Sequence, residues 1–122
     1  MSAVKTLVFV DDSPVETMLF KSVCKEVDCE YFITESYEQA AAFCSEHKVD
    51  VLITDLNIGS GSGFDLIKVA RAHKVNSGVM ALIYSSDSCS EYSEKMKEFG
   101  VAGWIVKPLN PQAMVKVLNK LL

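Results

Sequence analysis

The chain has 122 residues, of which 49% are hydrophobic and 23% are charged, and its formal net charge is −4. This length suits one domain with a single core, and so large an apolar fraction excludes an intrinsically disordered chain. The acidic balance and the lack of any basic run argue against a nucleic-acid-binding surface on this domain.

The first apolar run, residues 6–10, predicts a short buried strand that ends at two adjacent acids. A serine–glutamate capping box with proline at the first helical position then predicts a helix over residues 14–27. The apolar residues at helical spacing in this helix are Val15, Met18, Leu19, Val23 and Val27. We expect these residues to face the core.

The middle of the chain predicts a second strand, a second helix and a central strand. Residues 31–34 form the strand, and another capping box opens a helix over residues 37–47. Residues 49–54 predict a strand buried on both faces, which stops at the carboxylate of Asp55. The glycine- and serine-rich residues 57–62 predict a loop.

The last part of the chain predicts three helices and two strands. Residues 63–74 form a helix, and the apolar run 79–84 forms a buried strand. Residues 88–100 predict a helix capped by serine and ended by glycine. Residues 102–106 form the fifth strand, and an asparagine cap followed by proline opens the last helix, residues 111–122.

Strands and helices thus alternate five times with short connections, and no linker or internal repeat interrupts them. This alternation implies right-handed crossovers and a parallel sheet covered by helices on both faces. We therefore predict one α/β domain over residues 1–122, a five-stranded, doubly wound parallel sandwich.

Polar and charged side chains follow four of the five predicted strands, and parallel strands all end at the same edge of a sheet. They are Asp11 and Asp12 after the first strand, Asp55 after the third, Ser85 and Ser86 after the fourth, and Lys107 after the fifth. Clustered carboxylates cost stability unless a cation compensates them. Oxygen ligands of this kind suit Mg²⁺, with Mn²⁺ as an alternative.

Such an edge can perform phosphoryl transfer. An exposed carboxylate such as Asp55 can attack phosphorus and form an aspartyl phosphate. The reaction then needs mainly positioning and neutralisation of the phosphoryl oxygens. A metal ion, the Lys107 ammonium and the Ser85 hydroxyl supply one partner for each oxygen.

These residues together resemble a bacterial two-component receiver domain of the chemotaxis-regulator type. The motif consists of an acid pair after strand one, aspartate after strand three, serine or threonine after strand four, and Lys-Pro after strand five. The resemblance covers essentially the whole chain and implies the strand order 2-1-3-4-5.

The resemblance implies a role for each matching residue. Asp55 would be the phosphoacceptor, and Lys107 and Ser85 would contact the phosphoryl group. Asp12, Asp55 and the Asn57 main-chain carbonyl would bind the metal directly, and Asp11 would bind it through water. The Lys107-Pro108 bond would be cis, as is typical of the family.

Two features of the resemblance concern regulation. Trp104 occupies the position of an aromatic switch residue that is usually Tyr or Phe, and the alternative is a packing residue on an edge strand. Asn57 and Asp87 flank the path of a hydrolytic water and imply a short phosphoryl lifetime. The chain departs from the family pattern at Gly59, which replaces a proline, and at Ser86, where a smaller residue is common.

We therefore expect a signalling switch that takes a phosphoryl group from a histidine kinase or phosphotransfer protein and catalyses only its own phosphorylation and dephosphorylation. Phosphorylation would change the surface of helix four, strand five and helix five, roughly residues 88–122, for a protein partner or a fused output domain. The alternatives are an interaction or dimerisation module that works without phosphorylation, or an FMN protein or aspartate-nucleophile phosphatase of similar fold. The acid pair after strand one disfavours both of these enzymes.

The remaining expectations concern the cell compartment and the assembly of the protein. The four cysteines form no C-x-x-C pair, and His47 and His73 lie far apart, so reduced thiols in a cytoplasmic protein are expected. No apolar stretch reaches membrane-spanning length, so no membrane partner is expected. We expect a stand-alone regulator, monomeric or weakly dimeric, with a receiver cut from a longer protein as the alternative.

Overall fold

The computed structural model describes residues 4–108 and 110–122, so the first three residues of the predicted domain lie outside the described residues. Five strands form one parallel sheet: β1 Thr6–Val10, β2 Glu30–Thr34, β3 Val51–Thr54, β4 Met80–Ser85 and β5 Gly103–Val106. Their order across the sheet is β2-β1-β3-β4-β5. Both the predicted α/β sandwich and the implied strand order are confirmed.

Four α-helices connect consecutive strands and a fifth follows β5: α1 Pro14–Cys24, α2 Tyr37–Glu46, α3 Gly63–Ala72, α4 Ser93–Glu98 and α5 Pro111–Leu121. Alternate residues of β1 point to opposite faces of the sheet. Leu7 and Phe9 belong to the core shared with α1 and α5, whereas Val8 and Val10 belong to the core shared with α2 and α3. No helix in the described part of the chain is both long and apolar enough to cross a bilayer.

The predicted core face of α1 is correct at Val23 but wrong at Val15 and Met18. Val15 and Met18 are 74% and 70% exposed, and the buried face is formed by Thr17, Phe20, Val23 and Cys24. Thr17 can turn inward because its hydroxyl donates to the Pro14 carbonyl, and the Phe20 ring stacks 3.8 Å from the Phe9 ring. The helix also ends at Cys24, three residues before the predicted end, although Val27 is buried as expected.

The fourth helix begins later than its serine cap predicted. The Ser88 side chain makes no capping hydrogen bond, and residues Cys89–Glu91 form a short 3₁₀ turn before α4. Tyr92, with φ −117° and ψ 10°, separates the two segments, and its ring packs on Trp104 at 5.2 Å and on Phe64 at 6.2 Å. The predicted end is confirmed, since Gly100 has a φ of +60°.

Two further segments depart from the predictions. Asn57–Ile58 and Gly61–Ser62 pair as a small antiparallel hairpin, where the sequence predicted an unpaired loop. Gly59 turns this hairpin with a φ of +58°, an angle that the proline usual in the family cannot adopt. The third helix ends at Ala72, and a 3₁₀ turn, Lys74–Asn76, follows it. The remaining element ends lie within one or two residues of their predicted positions.

Asn76 is a buried residue that the sequence analysis missed. Its Oδ1 accepts the Val49 N–H at 2.7 Å, and its Nδ2 donates to the carbonyls of Cys44 at 2.7 Å and His47 at 2.9 Å. Its side chain therefore joins the end of α2 to the entry of β3 from a turn that follows α3. All three partners are main-chain groups that need a hydrogen bond when they are buried.

We predict that Asn76→Ala lowers the free energy of unfolding by about 3 kcal/mol, because it leaves buried main-chain groups without partners. Urea unfolding followed by circular dichroism measures this change. Asn119→Ala removes an exposed asparagine of α5 and serves as the control. Equal unfolding midpoints for the two variants would contradict the role assigned to Asn76.

The four cysteines differ in their surroundings, and all four thiols are free. Burial raises the pKa of the Cys24 thiol to about 12 and that of Cys44 to about 11. Burial also raises the pKa of the half-buried Cys29, whereas Cys89 is exposed. A raised pKa lowers the fraction of reactive thiolate at any given pH below it.

We therefore predict that an aromatic disulfide reagent at about pH 8 modifies Cys89 first and Cys29 more slowly. Cys24 and Cys44 react only after unfolding in guanidinium chloride. Mass spectrometry of timed proteolytic digests assigns each modified thiol. Early labelling of Cys44 in the folded protein would contradict the burial described above.

Candidate functional site

The register of the sheet brings the predicted site residues to one edge. Val10 and Thr54 are neighbours across β1 and β3, so Asp11 and Asp55 leave the sheet side by side. The Asp55 N–H donates to the Val10 carbonyl at 2.9 Å and so extends the ladder by one residue. On the other side, Lys107 follows β5 and its N–H donates to the Ser85 carbonyl at 2.8 Å.

The Lys107 ammonium joins two of the three carboxylates. Its Nζ lies 2.7 Å from Asp11 Oδ2 and 3.1 Å from Asp55 Oδ2. The Asp11 side chain is fully buried, whereas 16% of the Asp55 side chain and 15% of the Lys107 side chain are exposed. Asp55 is therefore the carboxylate of this pair that an incoming group can reach.

Burial and the neighbouring charged groups have opposing effects on the pKa values of Asp11 and Lys107. Burial raises the pKa of the Asp11 carboxyl above its ordinary value, although hydrogen bonds from Lys107 and from the Ser13 N–H oppose that rise. Burial also acts to lower the pKa of Lys107, but hydrogen bonds and charges from Asp11 and Asp55 outweigh it and raise this pKa. Lys107 therefore remains a cation at neutral pH.

Asp12 completes the group of acids from the exposed side. Its Oδ2 accepts the N–H of Gly59, at the tip of the hairpin, at 3.2 Å. Ligand atoms of Asp11, Asp12 and Asp55 lie within 4.8 Å of one another. Three carboxylates and one ammonium leave two net negative charges at the site. Both the donor set and this charge fit a divalent hard cation such as Mg²⁺ or Mn²⁺.

Gly63 lets the first turn of α3 approach Asp55. A Cβ at this position would lie 2.3 Å from the Asp55 carbonyl oxygen and 3.2 Å from Thr54 Cγ2. The Gly63 N–H also donates to the Leu56 carbonyl at 2.8 Å. The sequence analysis assigned Gly63 only to the start of a helix, because a close approach between distant backbones has no local sequence signal.

Ser85 connects the site to Trp104 through the main chain of Asp87. The buried Ser85 Oγ accepts the Asp87 N–H at 3.1 Å, and the Asp87 carbonyl accepts the Trp104 Nε1–H at 2.9 Å. The indole is half-buried and stacks on Tyr92. In this state Trp104 packs against its neighbours, and its predicted switching remains a prediction.

The other predicted residues lie around this edge. Asn57 begins the hairpin, two residues after Asp55, and its side chain is exposed, as are those of Ser86 and Asp87. The Lys107-Pro108 peptide bond is cis, as the resemblance implied. The structure thus brings together the three acids and Lys107, with Ser85 on the neighbouring strand.

The sequence analysis missed Tyr84 as a part of this site. Its ring lies 5.3 Å from Lys107 Nζ, which allows a cation–π contact, and its hydroxyl donates to Glu16 Oε1 at 3.1 Å. The Tyr84 ring is therefore a further neighbour of the ammonium that contacts Asp11 and Asp55. The sequence feature that could have indicated this role is a large aromatic residue immediately before Ser85, the last residue of β4.

Comparison with known proteins gives consistent results. The family model described as "Response regulator receiver domain" matches residues 7–119. The two-component response regulator ORR12 of Oryza sativa subsp. japonica is 28% identical over 120 residues, which cover 98% of each protein. The heme response regulator HssR of Staphylococcus saprophyticus is 26% identical over 90% of this chain and 48% of its own length. The structure of the chemotaxis protein CheY4 of Vibrio cholerae is 26% identical and has a TM-score of 0.89, with coverage of 98% of this chain and 100% of that one.

We predict that Gly63→Ala destabilises the protein by about 1–3 kcal/mol, because the new methyl group would collide with the Asp55 carbonyl and not with a movable side chain. Gly78→Ala is the matched control. A Cβ at Gly78 meets no atom within 4 Å, so its effect should remain within about 0.5 kcal/mol. Urea unfolding of both variants makes the comparison, and equal stabilities would contradict the close approach at Asp55.

Proposed function

The chain belongs to the response regulator receiver domain family, and on that basis we propose that it is a phosphorylation-controlled switch with Asp55 as its phosphoacceptor. The observation that carries the proposal is the position of Lys107, which bridges the buried Asp11 and the accessible Asp55. The accessible Asp55 carboxylate thus lies beside the Lys107 ammonium and near a further acid, Asp12. It suits transfer of an anionic phosphoryl group, which needs charge neutralisation more than covalent chemistry.

In the proposed reaction, an Asp55 carboxylate oxygen attacks the phosphorus of a phosphohistidine on a histidine kinase or phosphotransfer protein. The bond between phosphorus and the imidazole nitrogen breaks, and that nitrogen keeps the electron pair and takes a proton from solvent. A new phosphorus–oxygen bond forms on Asp55. The residues of this chain therefore supply the nucleophile and the environment for the transferred charge.

Three acids would hold a divalent cation at this site: Asp12 and Asp55 directly, with the Asn57 main-chain carbonyl, and Asp11 through water. When bound, Mg²⁺ or Mn²⁺ supplies positive charge for one phosphoryl oxygen. A proton on Asp11 would compete with the cation. Because the pKa of Asp11 is raised, we expect this competition to begin at a higher pH than for an ordinary aspartate.

Lys107 and Ser85 would bind the other two phosphoryl oxygens. Lys107 already contacts Asp55 Oδ2 and needs to move little to reach a phosphoryl oxygen two bonds further out. Ser85 Oγ accepts the Asp87 N–H, which leaves its own O–H available to donate to the phosphoryl group. A movement of Oγ towards that group would pull on the segment before α4 through the Asp87 N–H, and it would shift an existing equilibrium between two states of that segment.

The proposed output surface consists of α4, β5 and α5, which lie downstream of Ser85. A partner protein or a fused output domain would bind this surface in one of the two states. The chain would act on no other substrate and would catalyse only its own phosphorylation and dephosphorylation. Exposed Asn57 and Asp87 would orient the hydrolytic water and shorten the phosphoryl lifetime, and a lifetime of many hours would contradict this role.

We predict that incubation with a small acyl phosphate adds one phosphoryl group to Asp55 and that removing divalent cations slows this reaction about a hundredfold or more. Intact-mass spectrometry measures the adduct, and fluorescence of Trp104, the single tryptophan of the chain, follows the conformation in the same sample. The fluorescence should change as the adduct forms, because Trp104 is tethered to the loop that Ser85 holds.

Asp55→Asn should form no adduct while keeping the wild-type circular dichroism spectrum. Asp65→Asn is a suitable control, because it removes the charge of an exposed aspartate in the first turn of α3 and should be phosphorylated normally. The absence of any adduct on the folded wild-type protein, with either Mg²⁺ or Mn²⁺, would overturn the proposed function. The acidic pocket would then belong to an interaction module that works without phosphorylation.

A further inference from the structure

We propose that a groove between α3 and the end of α4 binds an acidic peptide segment of a partner protein. The groove has a volume of about 720 Å³ and lies where β4 begins, at the edge of the sheet opposite Asp55. It is therefore separate from the acidic pocket, and the inference does not depend on phosphorylation of the chain.

The floor of the groove is apolar and the rim is basic. Ile67 and Val79 are buried floor residues, and the half-buried Phe99 lines the α4 side. Gly78 and Gly100 leave two exposed stretches of main chain at the margin. A floor of this kind offers contact area to an aliphatic or aromatic side chain, which a small inorganic anion could not use.

The side chains that line the groove carry more positive than negative charges. Lys68, Arg71 and Lys97 line it, against the single acid Glu98. The Arg71 guanidinium donates to the carbonyls of Phe99, Val79 and Gly100, the last two at 2.9 Å. Its position is therefore fixed, and its charge is not neutralised, because all its partners are neutral carbonyl groups.

Lys68 and Lys97 add two exposed ammonium groups on either side of Arg71. The ion pairs formed by side chains within residues 4–108 and 110–122 are both those of Lys107, so neither rim lysine has a carboxylate partner there. A chain with a net charge of −4 thus carries a local positive groove. Such a groove favours a negatively charged occupant by charge complementarity.

A peptide fits these observations better than nucleic acid does. The basic groups form one short cluster over an apolar floor, whereas nucleic acid binding uses extended rows of cations along a phosphate backbone. A segment with an apolar residue flanked by acids would satisfy both the floor and the rim. The unphosphorylated chain already presents both the floor and the rim, so such a segment would bind it without phosphorylation of Asp55.

The test uses the unphosphorylated full chain and a synthetic peptide, Asp-Glu-Asp-Leu-Phe-Leu-Asp-Glu-Asp, observed by NMR of the ¹⁵N-labelled protein. We expect the amide resonances of Gly78 and Gly100 to shift in a saturable way, and we expect added salt to weaken the binding. Two further peptides separate the contribution of the acidic residues from that of the apolar residues. One has lysine in place of every acid and the other has serine in place of every apolar residue, and both should bind more weakly.

Protein variants then test whether the peptide binds in the groove. The double variant Lys68→Glu/Lys97→Glu should weaken binding about tenfold or more, because it reverses the charge of the rim. Lys116→Glu/Lys120→Glu makes the same change in net charge on exposed positions of α5 and should leave the affinity nearly unchanged. Gly78→Leu adds a side chain where a Cβ meets no atom within 4 Å, so it should obstruct the groove without disturbing the fold. Thermal unfolding of each variant checks that it is folded.

Several results would overturn the proposal. They are the absence of binding at millimolar peptide, equal binding of the acidic and basic peptides, equal effects of the two double variants, and resonance shifts confined to other surfaces. A shift of the Gly78 and Gly100 resonances with protein concentration alone would show that a second copy of the chain occupies the groove. Phosphorylation of Asp55 can succeed or fail independently of all these outcomes, so the two proposals are tested separately.

Discussion

The structure depends on the contact that Lys107 makes with Asp11 and Asp55. Asp11 is fully buried, and a carboxylate in that position would cost several kcal/mol without a paired cation. That cation comes from the end of β5, so the pairing requires β1, β3 and β5 to be in register at one edge of the sheet. The interaction that makes the site chemically useful is therefore available only when the whole sheet has formed. A misplaced strand would leave a buried charge uncompensated.

The same contact leaves the pocket incompletely neutralised. Lys107 offsets one of three carboxylate charges, and the two that remain match the charge of a divalent cation. Asp11 cannot reach solvent, whereas Asp12 is exposed and Asp55 is partly so. Burial thus divides three chemically identical side chains into one that anchors the lysine and two that face incoming groups. The Tyr84 ring, 5.3 Å from Lys107 Nζ, adds a cation–π contact to the lysine that Asp11 anchors.

The sequence predicted the sheet and the acidic edge because both follow from local patterns. Apolar runs that stop at an acid or a serine predict strand ends, and parallel topology places those ends together. The sequence did not predict the features that arise from contacts between distant segments. Phe20 of α1 stacks on Phe9 of β1, Tyr92 separates two helical segments and packs on Trp104 and Phe64, and Asn76 binds main-chain groups of two other elements. Each of these features involves a tertiary contact that no local sequence pattern records.

The link between Ser85 and Trp104 would limit how the proposed switch operates in this chain. The indole is held on one side by the Asp87 carbonyl and on its face by Tyr92, so it cannot rotate freely into the space beside Ser85. A displacement of the Ser85 hydroxyl acts first on the Asp87 N–H, and only then, through the same peptide segment, on the hydrogen bond to Trp104. The element that moves first would therefore be the main chain around Asp87, with the tryptophan following it. Because Tyr92 immediately precedes α4 and stacks on Trp104, that movement would reach the start of the helix without requiring an empty cavity for the ring.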